Sequence, residues 1–256
     1  MLFNSLSFLI FFPVVTVLYY VIPGRYRYLW LLAASYYFYM CWNPRYALLM
    51  AFSTSATWLS GVLLERAPQL RQKKAVGAVC FLVNIGILAG FKYFDFLLEN
   101  VNTVLALFHL RLIEKPFDVL LPVGISFYTF QALSYTVDVF RGEIRAEKNP
   151  LRYALFVSFF PQLVAGPIER SGNLLRQICT VPQTVKPDYR EITGGLTLML
   201  WGLFLKMVVA DRAAGVVDAV FAEHYLYQAT ALWAAALLFA VQIYCDFSSY
   251  STIAVG

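Results

Sequence analysis

Long apolar runs separated by short polar or charged segments make up most of this 256-residue sequence. Apolar residues in these runs are continuous and do not alternate with polar residues, as they would in the strands of a membrane barrel. A run of about 20 apolar residues is long enough for a helix to cross a bilayer. The pattern predicts an all-α, polytopic integral membrane protein with about seven spanning helices, plus re-entrant and interfacial helices.

The predicted spans cover residues 4–22, 28–42, 46–64, 75–91, 119–140, 191–210 and 228–256. Between them, residues 92–110 repeat charged and apolar positions at three- and four-residue steps, which predicts a helix lying in the membrane interface. The apolar run at 153–165 is too short to cross a core of about 30 Å, so we expect a re-entrant or surface-lying segment. Short helices are also predicted around residues 171–178 and 211–223.

Composition supports a membrane protein and disfavours a nucleic-acid-binding one. The chain is 60% hydrophobic and 14% charged, whereas soluble domains carry about 25% charged residues. The net charge of +5 comes from Lys and Arg in short segments between apolar runs, without a basic stripe, so we expect no nucleic-acid partner. The four cysteines are widely spaced and form no CxxC or Cys/His cluster, so neither a disulfide framework nor a metal site is expected.

The distribution of basic residues predicts the orientation of the chain. Fourteen of the 20 Lys and Arg residues fall in alternate segments, at residues 25–27, 66–74 and 141–190. By the positive-inside rule these segments are cytoplasmic, which places the N-terminus outside a multi-pass plasma-membrane protein. Lys206 lies near the end of a predicted span, where we expect its side chain to reach toward the interface.

Polar side chains and helix breakers are concentrated in the apolar stretch 121–167. Such groups at membrane depth cost several kcal/mol unless protein or a wet cavity satisfies them. We therefore expect this stretch to line a substrate tunnel or the donor side of a site. The candidates are Tyr128, Gln131, Asp138, Pro161, Gln162, Gly166 and Pro167. Asp138 is a functional candidate as an intramembrane carboxylate, but an ion pair with Arg141 at the membrane boundary stays open.

The two histidines give no support to a catalytic dyad or triad. His109 closes the predicted interfacial helix and His224 lies in a polar turn. Neither lies in an apolar span beside a carboxylate or nucleophile, so both are interpreted as solvated loop residues. The sequence contains no GxSxG, P-loop or HExxH motif, which disfavours serine hydrolase, nucleotide-driven and zinc-protease chemistry.

Three motifs carry a resemblance to a known family. They are LPVGISFYTFQALSYTVDVFRG at 121–142, FFPQLVAGPIER at 159–170 and YCDFSSYSTIAVG at 244–256. With them, the chain resembles the membrane-bound O-acyltransferase family, in particular the bacterial branch that acetylates extracellular polysaccharides such as alginate. The D-alanyl transfer protein of teichoic acid synthesis is a relative. The resemblance extends over the whole chain.

The resemblance implies that an acyl group, expected to be acetyl, passes from a cytoplasmic thioester donor to hydroxyls of an extracellular or cell-wall polysaccharide. A buried neutral histidine is the family's general base. Acetyl-CoA or an acyl-carrier protein is the implied donor, without a bound cofactor. An SGNH-type acetyl-transfer protein outside the cytoplasm is an implied partner, beside the polysaccharide and the lipid bilayer.

The family's histidines lie in a portion that would follow Gly256, and neither His109 nor His224 matches them. No catalytic residue is therefore assigned in this chain. Residues 1–256 are interpreted as a single membrane-embedded domain, the N-terminal half of a longer one and inactive alone.

The third motif adds the candidates Asp246, Ser248 and Tyr250, which are expected to face the protein core from the last helix. The family branch more usually has Gly, Asp and Met where this chain has Ser249, Thr252 and Ile253. Candidate polar residues of this kind also serve as contacts between helices. A transporter or flippase, and a non-catalytic membrane scaffold of a glycan assembly complex, therefore stay open as alternatives.

Overall fold

The computed structural model of the chain describes residues 3–108, 110–111, 113, 122, 124–163, 166, 171–180 and 188–256. All regular secondary structure within these residues is helical, which confirms the predicted all-α class. In chain order the helices are α1 (Leu6–Val21), α2 (Arg27–Met40), α3 (Pro44–Arg66), α4 (Leu70–Lys92), α5 (Phe94–Leu107), α6 (Ile125–Arg141), α7 (Pro150–Ser158), α8 (Phe160–Leu163), α9 (Ser171–Thr180), α10 (Tyr189–Phe204), α11 (Asp211–Ala222) and α12 (Ala229–Val255).

Four described helical runs are long and apolar enough to cross a membrane: α3, α4, the continuous run Tyr189–Ala222 and α12. They coincide with four of the predicted spans and confirm a polytopic membrane protein. The other three predicted spans coincide with α1, α2 and α6, which have 16, 14 and 17 residues. The amphipathic segment predicted at 92–110 forms the separate helix α5.

Local sequence signals explain where several helices begin and end. Ser5 caps α1 by accepting a hydrogen bond from Phe8 N at 3.2 Å, and Asn43 caps α3 through Arg45 N at 3.0 Å. Both side chains satisfy a backbone donor that has no partner inside the helix. Gly142 ends α6 with a φ of 77°, the left-handed conformation that glycine adopts without strain.

Two predicted boundaries are wrong. The span predicted at 75–91 belongs to a helix that begins earlier, because α4 begins at Leu70 and includes Arg71, Lys73 and Lys74. Arg, Gln and Lys are good helix formers, so the charged residues extend the helix beyond its apolar part. The helix predicted at 211–223 is not separate, since Leu205–Ala210 joins α10 to α11 as a π-helical segment within one 34-residue run.

The described chain divides into two compact units, each of which is considered by itself. Unit 1 comprises Met1–Arg27, Phe160–Pro167 and Val181–Gly256. In it α10 and α12 pack closely at small residues. A side chain at Gly202 would place its Cβ 2.6 Å from Ile253 Cγ1 and 2.8 Å from the Ser249 carbonyl oxygen. The absence of a side chain at Gly202 therefore lets the two helices approach each other.

Unit 2 comprises Tyr28–Phe159 and Ile168–Thr180, with α3, α4 and α6 at its centre. A Cβ at Gly61 of α3 would lie 2.7 Å from Cε1 of Tyr135 on α6, so the tyrosine ring fills the space beside this glycine. The Tyr135 ring also packs against Tyr153 and Phe156 of α7, at centroid distances of 4.5 and 6.3 Å. These rings form the core of the unit.

Hydrogen bonds between neutral side chains connect the helices of unit 2. Tyr153 Oη donates to Thr57 Oγ1 at 2.9 Å, and Thr57 Oγ1 lies 2.9 Å from the Ser53 carbonyl oxygen. Ser53 Oγ donates in turn to Asn84 Oδ1 at 2.6 Å. This neutral network links α7, α3 and α4 through groups that are all buried.

Candidate functional site

The candidate residues fall into two sets, one in each unit. Tyr128, Gln131 and Asp138 belong to α6 in unit 2. The candidates in unit 1 are Pro161, Gln162 and Gly166 in and after α8, and Asp246, Ser248 and Tyr250 on α12. Pro167 lies outside the described residues.

The candidates on α12 belong to a charged cluster, which we define as Lys206, Asp211, Asp246 and Tyr250. Lys206 Nζ lies 2.5 Å from Asp246 Oδ1 and 3.0 Å from Asp211 Oδ1. The same ammonium lies 5.4 Å from the centroid of the Tyr250 ring, within the range of a cation–π contact. The Lys206 side chain is only 14% exposed. The expected extension of Lys206 toward the interface is therefore replaced by ion pairs.

The π-helical segment brings Lys206 and Asp211 together on one side of the run. The Asp211 backbone N–H donates to the Lys206 carbonyl, five residues earlier, instead of to the residue four positions before it. This repeat places side chains five residues apart above one another, and π segments of this kind often occur at functional sites. Lys206 lies near the end of the apolar part of the 34-residue run, which Asp211 and Arg212 follow.

One ammonium in the charged cluster faces two carboxylates, so the cluster carries an excess negative charge when all three groups are ionised. Charged side chains inside a membrane are costly, and they usually pair with one another or line a polar pathway. Asp246 and Asp211 are both partly exposed, whereas Lys206 is mostly covered. The carboxylate oxygens are therefore the part of the cluster that a polar ligand can reach.

Ser248 does not join this cluster, although it is on the same helix. Its carbonyl accepts a hydrogen bond from Thr252 Oγ1 at 2.7 Å, a contact within α12. Asp246 and Tyr250 are four residues apart and share a face of the helix, whereas residue 248 lies on another face. The Tyr250 ring also contacts Phe3, with a centroid distance of 5.7 Å.

The short helix α8 and the turn after it are compact. Gln162 is buried, and the Gly166 N–H lies 3.3 Å from the Gln162 carbonyl oxygen. A Cβ on Gly166 would lie 2.6 Å from both Gln162 Cα and the Pro161 carbonyl oxygen. A side chain at position 166 would thus collide with backbone, which explains a glycine in this turn.

In unit 2, Tyr128 and Gln131 lie on the buried face of α6. Gln131 Nε2 donates to the Phe156 carbonyl at 2.8 Å and so ties α6 to the end of α7. The Tyr128 ring meets Tyr39 of α2 edge to face, with a centroid distance of 6.4 Å. These contacts give both candidates a role in packing, whatever further role they have.

Asp138 does not form the ion pair with Arg141 that its position in the sequence left open. Its Oδ2 accepts a short hydrogen bond from Ser171 Oγ at the start of α9, while Arg141 Nη1 lies 3.7 Å from Glu143 Oε1. Asp138 thereby connects the end of α6 to α9. A serine at the first position of a helix and a carboxylate on a neighbouring helix meet in this contact.

Within unit 2, Glu147 connects the segment at 142–149 to α3, α6 and α9. Nothing in the sequence indicated this role. Its backbone N–H donates to Tyr135 Oη at 2.9 Å, and its carbonyl accepts from Trp58 Nε1 at 2.9 Å. Its carboxylate accepts from Cys179 Sγ at 3.2 Å. Burial, followed by the hydrogen bond and the negative charge of Glu147, raises the pKa of the Cys179 thiol to about 11.

Neither histidine is shown in a site that would support catalysis. His224 is exposed, with Nδ1 3.3 Å from the Phe221 carbonyl oxygen. His109 lies outside the described residues. Among the residues that the structure describes, no group of three His, Cys, Asp or Glu side chains is arranged to hold a metal ion.

Sequence reasoning missed Lys206 and Asp211 as partners of Asp246. One signal was available: Lys206 and Asp246 lie at nearly equal distances along the chain from the turn at 223–228. Two apolar helices joined by a short turn run antiparallel, so oppositely charged residues at matching distances are expected to meet. The π-helical segment that adds Asp211 left no recognisable signal.

Comparison with known proteins gives relatives over the whole chain. It is 36% identical to a probable alginate O-acetylase AlgI of Pseudomonas aeruginosa, with 100% of this chain and 48% of that protein aligned. It is 37% identical to a protein of the same name from Pseudomonas putida, covering 52% of it. A peptidoglycan O-acetyltransferase of Helicobacter pylori is 31% identical over 89% of this chain and 47% of its own length.

The chain thus spans about half the length of the curated relatives it matches. No protein-family profile matches it, and no solved structure matches it significantly. The relatives agree with the family resemblance of its three motifs, and the helices agree with a polytopic membrane protein. Over its full length the chain is therefore similar to about half of proteins named alginate O-acetylase AlgI.

Proposed function

We propose that the chain forms part of an enzyme that transfers an acetyl group to hydroxyls of an extracellular or cell-wall polysaccharide. The observation that carries this proposal is identity of 36 to 37% over the whole chain to proteins named alginate O-acetylase. A peptidoglycan O-acetyltransferase among the relatives also supports a polysaccharide acceptor. A transporter or a non-catalytic scaffold is not favoured, because the relatives are named for acetyl transfer.

The proposed reaction is acyl transfer from a thioester. The acceptor hydroxyl forms a C–O bond with the thioester carbonyl carbon, its proton passes to a general base, and the C–S bond breaks to release the thiol. We propose that the base is a histidine in the part of the relatives' length that has no counterpart in this sequence. Acetyl-CoA or an acyl-carrier protein is the proposed donor.

Within this chain, the charged cluster is the proposed polar contact for the transferring groups. The carboxylates of Asp246 and Asp211 can accept hydrogen bonds from acceptor hydroxyls, and Lys206 holds both carboxylates in place. Pro161, Gln162 and Gly166 are proposed as a donor-side wall, and a side chain at position 166 would collide with the backbone of the other two residues. Within unit 2, considered by itself, Tyr128, Gln131 and Asp138 of α6 are proposed as residues that line a substrate tunnel.

We further propose that the chain is one membrane-embedded domain, corresponding to the N-terminal half of the relatives, with its N-terminus outside and residues 141–190 in the cytoplasm. The basic-residue distribution supports this orientation. A plasma-membrane location and an SGNH-type partner outside the cytoplasm complete the proposal. An N-terminal epitope tag tests the domain proposal, which predicts a product in the source cells near twice 29.1 kDa.

A chimera tests the proposed activity directly. This chain replaces the corresponding half of the Pseudomonas putida relative in a strain that lacks its own alginate O-acetylase, and acetyl esters on the secreted alginate are quantified. We expect acetylation to return, and Asp246→Asn to lower it at least tenfold. Ser60→Ala is the matched control, because Ser60 Oγ is bonded within its own helix to the Ala56 carbonyl.

Two outcomes would count against the proposal. The first is a chimera that reaches the membrane at normal level but yields no acetyl ester, also when the Helicobacter pylori relative supplies the other half. The second is normal acetylation by the Asp246→Asn variant, which would keep the enzyme class but remove the charged cluster from the site.

A further inference from the structure

A cavity in unit 2 lies apart from the residues proposed for acetyl transfer. Its volume is about 340 Å³, and it lies among α2, α3 and α7. Sites for small molecules usually have volumes of about 300 to 1,000 Å³. The lining is mainly apolar, with Leu59, Leu151 and Ala154 among its members, and Tyr36 and Thr54 add polar atoms. The cavity therefore has room for a small, largely apolar ligand.

One hydroxyl in this cavity has no protein partner. Thr54 is only 3% exposed, and its Oγ1 makes no hydrogen bond among the described residues. Other hydroxyls of α3 behave differently: Ser55, Thr57 and Ser60 each donate to the carbonyl four residues earlier, at 2.7 to 2.9 Å. Burying a hydroxyl without a partner costs free energy. Thr54 is thus a hydroxyl of α3 in the cavity lining that is buried without a protein partner in the described part of the chain.

Water alone is a poor occupant for this cavity. A buried water needs two to four polar partners, and two of the polar side chains of the lining already donate to backbone carbonyls. Ser55 Oγ donates to the Ala51 carbonyl, and Trp58 Nε1 donates to the Glu147 carbonyl. A chain of hydrocarbon with one oxygen matches the lining better, because it fills apolar space and accepts the Thr54 hydrogen bond.

The cavity lies beside a face of α3 that is suited to contact with lipid. Leu48, Phe52, Ser55 and Leu59 recur along one side of this spanning helix and are all exposed. Ser55 and Leu59 also line the cavity. The cavity is therefore reachable from the hydrocarbon side of the helix, without passage through an aqueous phase.

We propose that this cavity binds a fatty acyl chain, with an oxygen of its carbonyl group accepting the hydrogen bond of Thr54 Oγ1. The ligand is distinct from the acetyl donor and the polysaccharide acceptor of the proposed function. Its chemistry is present in membrane glycerolipids and in free fatty acids.

Photo-crosslinking distinguishes these sources. The protein is reconstituted into phosphatidylethanolamine and phosphatidylglycerol vesicles that contain either a phospholipid with a diazirine on one acyl chain or a free diazirine fatty acid. After illumination, crosslinked peptides are identified by mass spectrometry. We expect crosslinks concentrated at α3 near Leu59 and at α7 near Leu151. The probe that crosslinks more identifies the source.

Substitutions test the role of the cavity itself. Ala154→Leu fills the space and is expected to lower crosslinking about tenfold, as is Ala51→Leu from the facing helix. Thr54→Val removes only the hydroxyl, with an expected loss of about fivefold. Ser60→Ala removes a hydroxyl of the same helix that does not line the cavity, so crosslinking should not change. Thermal unfolding confirms that each variant is folded.

Either of two results would overturn the proposal. One is crosslinking spread evenly along the exposed side of α3 and unchanged in both space-filling variants. The other is crosslinking by Thr54→Val at the level of the unsubstituted protein, which would show that the hydroxyl does not bind the ligand.

Discussion

The charged cluster of unit 1 and the neutral network of unit 2 pair their polar groups in different ways. In the cluster, Lys206 pairs with the carboxylate of Asp211 on the next turn of its own helical run and with that of Asp246 on α12. In the network, Tyr153, Thr57 and Ser53 pass hydrogen bonds between neutral groups. Loss of one neutral partner leaves a hydroxyl unsatisfied, whereas loss of one charged partner leaves an ionised group unpaired. We therefore expect substitutions in the cluster to reduce the stability of the protein more than substitutions in the network.

The largest effect is expected from removal of the cation in the charged cluster. Lys206→Met leaves the carboxylates of Asp246 and Asp211 without their partner, and we expect the free energy of unfolding to fall by about 3 kcal/mol. Denaturant unfolding in detergent micelles measures the change. Arg212→Met is the control, since Arg212 is exposed on the same helical run.

The double variant Lys206→Met with Asp246→Leu sharpens this prediction, because it removes both charges of the shorter ion pair. We expect it to be more stable than Lys206→Met alone, and a double-mutant cycle gives the interaction energy. If Lys206→Met and Arg212→Met had the same stability as the unsubstituted protein, the contrast between the two regions would be lost.

Close packing in unit 2 gives the second effect. Gly61→Ala introduces a Cβ at 2.7 Å from Tyr135 Cε1, and the ring must move. We expect a loss of about 2 kcal/mol, typical of overpacking in a well-packed core. Gly77→Ala on α4 is the matched control, because no atom lies within 4 Å of its added Cβ. Equal thermal unfolding of the two variants would contradict the close contact.

A smaller effect is expected in the neutral network. Tyr153→Phe removes the hydroxyl that donates to Thr57, while Thr57 keeps its contact with the Ser53 carbonyl. The expected loss of stability is about 1 kcal/mol, the usual net value of a hydrogen bond. Tyr244→Phe is the control for an exposed tyrosine. A loss as large as that of Lys206→Met would show that neutral groups are no less critical than charged ones.

The smallest effect concerns a thiol outside the spanning helices. Because the pKa of Cys179 is raised to about 11, its thiolate is scarce at neutral pH, and maleimide alkylation should accelerate as pH rises toward that value. The folded state favours the neutral thiol, so its contribution to stability is complete below the ordinary pKa of 9.0 and is lost between 9.0 and about 11.

Variants with Cys179 as their single cysteine permit this measurement. Glu147→Gln removes a negative charge beside the sulfur, so alkylation at pH 8 should become faster. The variant that retains only the exposed Cys41 provides a reference for reagent reactivity. Rapid alkylation of Cys179 at pH 7, before the substitution, would contradict its contact with Glu147.

Much of the fold could be predicted because membrane depth and apolar length constrain helices strongly. The four long spans follow from continuous apolar runs, and α5 follows from the three- and four-residue spacing of its apolar positions. The short helix α9 also lies where it was predicted. Helix ends were harder to predict from the sequence. Arg71 and Lys74 belong to the first turns of α4 because of their helix propensity, although they lie outside its apolar pattern. The continuity of α10 with α11 depends on backbone hydrogen bonds of the π segment, which hydropathy does not encode.

Individual candidate residues could be named from the sequence, but the way the structure arranges them could not. Asp246 and Tyr250 were identifiable because polar groups in an apolar helix need partners. Their partner Lys206 was recognised as a basic residue but assigned to the interface, since its direction depends on the helix facing it. Contacts of backbone groups, such as those of Glu147, depend on tertiary packing and could not be inferred from residue type.

The 34-residue run that contains Lys206 also relates this protein to the thickness of its membrane. At 1.5 Å per residue it is about 51 Å long, whereas the hydrocarbon core is about 30 Å thick. A helix longer than the core is accommodated by tilt or by extension beyond the core. A change in lipid chain length would then alter the tilt, and with it the depth at which Lys206 holds its two carboxylates.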